Sequence, residues 1–155
     1  MSSAIARRAA TSVAVATIAV GTAATPAHAQ DFVFPSCPGF DVGVTIESSA
    51  GNPPHVGPRA VFMAGTNNVT LENMETGATL PVRTAGAART KAGPNGSAII
   101  TISGPSLLFL FPTDPGGPST TLYQGQLVLN QGADGVTTII SSTGRTVDLC
   151  AALGG

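Results

Sequence analysis

The chain has 155 residues, of which 10% are charged and 5% aromatic, with 19 Gly, 12 Pro, two Cys and no Trp, and its formal net charge is -1. So low a charged fraction, with Gly and Pro at about a fifth of all residues, excludes a coiled-coil or long-helix protein, and the length suffices for one domain. Seven basic residues against eight acidic ones leave no electrostatic footprint for a nucleic-acid backbone.

Arg7 and Arg8 precede an apolar run from Ala9 through Gly21, and small residues lead on to Ala27-His28-Ala29 before Gln30. A basic start, a short apolar middle and an A-x-A site are the parts of a secretory signal peptide. The run is shorter than the roughly 20 apolar residues that a membrane-spanning helix needs. Residues 1–29 are therefore expected to be cleaved after Ala29, leaving residues 30–155 as a single secreted domain with no transmembrane anchor. Ala9 and Ala10 stand where a twin-arginine signal carries bulky apolar residues, which favours the general secretory route. Cleavage leaves five basic residues and makes His55 the only histidine.

Cys37 and Cys150 lie near the two ends of that mature chain, and export places them where disulfides form and persist. A Cys37–Cys150 bridge is expected. Closing a loop of this length restricts the unfolded chain by roughly 4 to 5 kcal/mol in the chain-entropy account. A redox role would want a C-x-x-C pair, which the sequence does not contain.

In chain order, Val42, Val44 and Ile46 alternate with Gly43, Thr45 and Glu47, the period-2 pattern of a half-buried strand. A Gly- and Pro-rich loop from Ser48 to Pro58 leads to Ala60–Met63, and Val69 and Leu71 then alternate with Asn68, Thr70 and Glu72. Met74–Gly77 reads as a turn. Thr79–Thr84 returns antiparallel, with Pro81 pointing to an edge or irregular strand because it donates no ladder hydrogen bond. Ala85–Lys91 is ambiguous and strand-like. Pro94-Asn95-Gly96 is a hairpin turn, since Asn and Gly tolerate positive φ, and Ala98, Ile100 and Ile102 alternate after it.

Gly104-Pro105 is expected to break that strand. Ser106–Phe111 follows, apolar on both faces, too short for a helix, and expected to be the most buried strand with both faces covered. Pro112–Pro118 is a loop. Strands are expected at Thr120–Asn130, Val136–Ser142 and Arg145–Cys150, with turns at 132–135 and Thr143-Gly144. About nine short strands without a sustained 3.6 period predict a single antiparallel β-sandwich or small barrel, its bridge joining the first and last strands.

Several segments in order, Asp31-Phe32-Val33-Phe34, Cys37-Pro38-Gly39-Phe40-Asp41-Val42, Leu71-Glu72-Asn73-Met74-Glu75-Thr76-Gly77, Gly104-Pro105-Ser106-Leu107-Leu108-Phe109 and Arg145–Ala151, resemble a group of small exported proteins of actinobacteria. The resemblance spans most of the mature chain. It implies an all-β exported domain with one terminal disulfide, and it brings no activity or catalytic residues with it.

Candidate chemistries are weighed residue by residue. His55 lies in a Pro-rich loop with no visible nucleophile or base beside it, and Ser106 lacks the second Gly of a nucleophile elbow. Asp41, Glu47, Glu72, Glu75, Asp114, Asp134 and Asp148 read as solvated groups at strand ends and turns, not as a glycosidase pair. One histidine beside a disulfide makes no metal site, Asp134-Gly135 reads as a turn without the flanking ligands of a calcium loop, and no phosphate-binding glycine pattern occurs. Asn68-Val69-Thr70 and Asn95-Gly96-Ser97 match the glycosylation tripeptide, which carries little meaning in a bacterial chain.

The expectation is therefore a non-enzymatic exported β-domain without cofactor, a structural or binding module with an envelope or protein partner. The alternatives are a carbohydrate- or envelope-binding module, for which Tyr123 is the single non-Phe aromatic, and a protease inhibitor presenting Gly51–Pro58 or Pro112–Pro118. Intact-mass analysis of exported protein should show a chain beginning within a residue or two of Gln30; a mass retaining residues before Ala24 contradicts the signal-peptide reading.

Overall fold

A computed structural model describes residues 30–50, the backbone of 55–56, and residues 60–154. The expected leader and most of the loop between Ala50 and Ala60 lie outside these residues. Ten antiparallel strands form one sheet that curls into a half-barrel, and one short helix ends the chain. The strands are β1 (Phe32–Cys37), β2 (Phe40–Ala50), β3 (His55–Val56), β4 (Ala60–Met63), β5 (Gly65–Asn73), β6 (Thr79–Ala92), β7 (Ala98–Leu110), β8 (Ser119–Gln131), β9 (Thr137–Ser142) and β10 (Arg145–Asp148); the helix is α1 (Leu149–Gly154).

The order across the sheet is β1-β2-β5-β6-β7-β4-β3, with β8 on the far side of β7, and β9 and β10 sharing the outer edge of β8. β6 serves two neighbours in turn. Thr79–Gly86 pairs with β5, with Pro81 on a segment that has a partner on one side only, and Ala87–Ala92 pairs with β7. β4 takes the place that β6 vacates, setting Ala60–Met63 opposite Leu110–Leu107.

The alternation read from the sequence sorts side chains into two cores. The first gathers Phe34, Val42, Val44, Val69, Leu71 and Val82 against Val61, Met63, Leu107 and Phe109, with Leu149 and Leu153 of α1 closing one end. The second lies on the other face of β7 and holds Ala60, Phe62, Ile100, Ile102, Leu108, Leu110, Tyr123, Leu127 and Leu129. The run Leu107–Leu110 is thus buried on both faces, at 0 to 2% exposure. Each such leucine contributes about 1.5 to 3 kcal/mol by leaving water.

β7 and β8 pair without interruption from Ala98–Gln131 to Leu110–Ser119. A flat ladder of 13 residues would hold its two ends about 40 Å apart. Thr137, opposite Gln131 at one end, nevertheless donates its N–H to Asp114 Oδ1 at 3.2 Å, in the loop beyond the other end. Asp114 Oδ2 accepts the Phe111 N–H at 2.9 Å. The hairpin is therefore rolled until its ends meet, and the second core is the inside of the roll.

Four expectations need correction. Gly104-Pro105 does not break the strand: β7 runs through it, because residues 104–106 fall where β6 has left and β4 has not arrived, so the missing Pro105 donor sits where one side has no ladder partner. The last strand stops at Asp148, whose Oδ1 accepts the Ala151 N–H at 3.1 Å as an N-cap, and the bridge consequently joins β1 to α1 and not to a strand. β1 precedes the first strand expected. Asp114 is not solvated but 4% exposed.

The outer edge of β8 carries a tight backbone fit. Between β9 and β10 the chain kinks at Thr143-Gly144, and the Thr143 N–H donates to the Gln126 carbonyl at 2.8 Å. A Cβ on Gly125 would lie 2.1 Å from the Thr143 carbonyl oxygen, and one on Gly144 would lie 2.3 Å from that of Gln124.

Asp114→Ala should lower unfolding stability by about 2 to 4 kcal/mol, since two backbone donors lose a charged acceptor, while Asp114→Asn, which keeps one acceptor oxygen, should lose less. Urea unfolding monitored by circular dichroism checks both values.

Candidate binding cleft beside the disulfide

Cys37 and Cys150 form the expected bridge, with Cα atoms 5.5 Å apart and 113 residues between them in sequence. The bond is set in buried hydroxyls. Thr120 Oγ1 donates to the Ser36 carbonyl at 3.2 Å and lies 2.8 Å from Ser36 Oγ, while the Thr120 N–H points at Cys150 Sγ from 3.3 Å. Ser36 and Thr120 are both fully buried. The disulfide thus fixes β1, β8 and α1 to one another at one end of the first core.

Against this corner opens a cleft of about 400 Å³ lined by Pro35, Cys37, Pro38, Gly39, Phe40, Asp41, Met74, Glu75, Pro112 and Pro118. Three separate segments build it. The first is the Pro38-Gly39 turn, closed by the pairing of Cys37 with Phe40. The second is the turn after β5, held against the first by the Met74 N–H donating to the Asp41 carbonyl at 3.0 Å. Asn73 shapes that turn: its Oδ1 accepts the N–H groups of Glu75 and Thr76 at 2.9 and 3.2 Å, and its Nδ2 donates to the Leu153 carbonyl at 3.3 Å. The third is the loop after β7, anchored by Asp114.

Four prolines, Phe40 and Met74 bring apolar surface to the cleft, polar groups contribute a comparable share of its wall, and Asp41 and Glu75 give the lining its negative charge. Among the described residues neither carboxylate has a hydrogen-bond or ion-pair partner. Such a site can hold an apolar group and pair a cation. The lining contains no hydroxyl, thiol or imidazole that could attack a substrate, since Cys37 is consumed in the bridge.

The structure disperses the other candidates. Glu47 accepts from Thr70 Oγ1 at 3.2 Å, Glu72 from Gln30 Nε2, Asp134 from its own turn at Val136 N–H, and Asp148 caps α1. Ser106 lies fully buried in β7, opposite Tyr123, and its Oγ has no hydrogen-bond partner. The His55 backbone pairs with Phe62, and its side chain lies outside the described residues. Among the described residues no three His, Cys, Asp or Glu side chains come together as a metal site, and no helix is long and apolar enough to cross a membrane.

The cleft itself was not anticipated from the sequence. Its one signal is the concentration of prolines at positions 35, 38, 112 and 118, near Cys37 and on the late loop. No protein family, curated protein or solved structure matches the chain. Fold and site together define an all-β domain closed by one disulfide, with a rigid cleft at the closure.

Tyr123 offers a direct probe of the second core. Burial pushes its phenol above the usual 10.0. The unfolded chain then loses its proton first, so the stability tied to the neutral phenol is full below about pH 10 and falls as pH rises beyond it. As the single tyrosine, it should give an ultraviolet ionisation curve displaced to higher pH than that of the urea-unfolded protein; coincident curves contradict its burial.

Proposed function

We propose that the protein is a non-enzymatic exported β-domain that acts as a binding module at or outside the cell envelope, with the cleft at Asp41 and Glu75 as its site. The observation that carries this reading is the cleft's construction: walls of mixed polarity from three segments are fixed by a disulfide and a buried Asn73, and two unpaired carboxylates belong to the lining. A preorganised site of this kind loses little conformational entropy on binding. It fits a ligand that joins apolar surface to a positive charge.

Export by the leader ending at Ala29, and kinship with the small actinobacterial exported proteins that the chain resembles, belong to the same proposal. The two other readings gain less from the structure. Tyr123 lies in the second core at 7% exposure, a poor platform for a sugar ring. Within Pro112–Pro118 the chain folds down on itself, with Asp114 N–H donating to the Phe111 carbonyl at 2.9 Å and Gly117 N–H to that of Asp114 at 3.0 Å. Pro112, Thr113, Pro115 and Gly116 are exposed, though in a closed turn and not an extended segment, and most of Gly51–Pro58 lies outside the described residues.

Co-sedimentation with purified cell-envelope material tests the reading. The wild-type protein should partition onto the envelope, and the double variant Asp41→Asn/Glu75→Gln, unchanged in fold, should bind about tenfold more weakly or worse. Wild-type protein that stays in the supernatant, or a double variant that binds like wild type, overturns it.

A further inference from the structure

The outside of the roll carries a polar face that belongs to neither core. The register sets Ala87 opposite Ser103 and Ser103 opposite Gln126, and two residues further on it sets Arg89 opposite Thr101. Residues directly opposed in a ladder project from the same side of the sheet, while the alternate residues Ile100, Ile102 and Leu127 point into the second core. Two adjoining hollows open on this outer side. One, of about 350 Å³, is lined by Ala87, Arg89, Thr101, Ser103 and Gln126; the other, of about 390 Å³, adds Lys91 beside the same Arg89 and Thr101. Neither shares a residue with the cleft at Asp41 and Glu75.

The polar side chains here are all unengaged. Among the described residues those of Arg89, Lys91, Thr101, Ser103 and Gln126 have no hydrogen-bond or ion-pair partner, and no carboxylate lines either hollow. Two cations without counter-charge call for an anion. The backbone has little to add: β7 is paired on both sides at this level, and the Thr143 hydroxyl accepts the Gln126 N–H at 3.3 Å while the Thr143 N–H donates to the Gln126 carbonyl at 2.8 Å. An extended acidic peptide, which docks by completing a ladder, finds no free ladder on this face. A ligand seated here meets side chains, and the neutral ones offer hydroxyl and amide groups that both donate and accept.

We infer that this face is a second binding site, for an acidic saccharide. Arg89 takes a sugar carboxylate on its planar fork, a single guanidinium matching a single negative charge. Thr101, Ser103 and Gln126 meet the hydroxyls of that sugar. Lys91, two residues along β6 and so about 7 Å further on, takes the carboxylate of the next sugar. Ala87 acts through its size, since its methyl group leaves the first hollow open beside Arg89. Neither lining contains an aromatic ring on which a neutral sugar could stack, so the charge of the ligand is required.

Calorimetric titration of the purified, oxidised protein with trigalacturonate, three linked sugars each bearing a carboxylate, tests the inference at low ionic strength. Binding with a dissociation constant below about 1 mM is expected. Arg89→Gln, which removes the charge, and Ala87→Phe, which fills the hollow and keeps the charge, should each weaken it at least about tenfold with the circular-dichroism spectrum unchanged. Arg83→Gln, an equal change of charge at an exposed residue that lines neither hollow, should weaken it less than about twofold. Maltotriose, the neutral counterpart, should give no binding. Absence of trigalacturonate binding, equal binding of maltotriose, tripolyphosphate binding more tightly than trigalacturonate, or a loss with Arg83→Gln as large as that with Arg89→Gln would each overturn the site.

Discussion

The rolled β7–β8 hairpin is the constraint on which the other parts depend. Its alternate residues face two separate cores, so Leu107 and Phe109 bind the β1–β2–β5 side while Leu108 and Leu110 line the interior of the roll. The second core could not form on a flat ladder, because the inner face would then be a broad apolar surface open to water. Curling removes that surface, and the carboxylate of Asp114 holds the rim by taking one donor from each end of the hairpin. A buried carboxylate is costly unless its oxygens are satisfied, and here both are. The polar contact specifies where the curl stops, while the apolar interior drives it.

The disulfide works on the opposite side of the same strands. It ties β1 to α1 beneath β8, and the Ser36–Thr120 hydroxyl pair fills the polar space around the sulfurs. Because Pro35, Pro38 and Phe40 flank this anchor closely in sequence, the first wall of the cleft takes its rigidity from the bridge, and the Asn73 turn fixes the second. The loop carrying Pro112 and Pro118 is fixed by Asp114, so the first and third walls descend from the two strongest constraints in the molecule. A small domain rich in glycine, with few charged groups, places its order at its closures.

Local pattern explains what the sequence reveals and what it hides. Val42 and Val44, the Asn95-Gly96 turn and the doubly apolar Leu107–Leu110 run are signals confined to a few residues, and each appears where its periodicity places it. Asp114 carries no such signal: in the sequence it is one more acidic residue between prolines, and its burial follows only from the meeting of chain ends far apart along a ladder. The cleft is hidden for the same reason, being assembled from residues 35–41, 74–75 and 112–118. α1 spans too few residues to show a helical period, and Pro105 misleads because the proline rule applies to a paired edge, whereas β7 is locally unpaired on one side.

The close fit of Gly125 and Gly144 has a consequence for how this fold tolerates change. Each glycine lacks a side chain because the other strand's backbone occupies that volume, so a methyl group at either position would push the chain at Thr143 outward. The two positions therefore form a mechanical hinge pin, setting the angle at which the outer segment departs from its neighbour. A replacement at Gly125, inside the sheet, would show first as a displaced outer margin several residues away, with the hydrophobic interior intact. Substitutions at the two sites act on one contact, and the shape of the molecule's rim is set by a half-buried residue of the neighbouring strand.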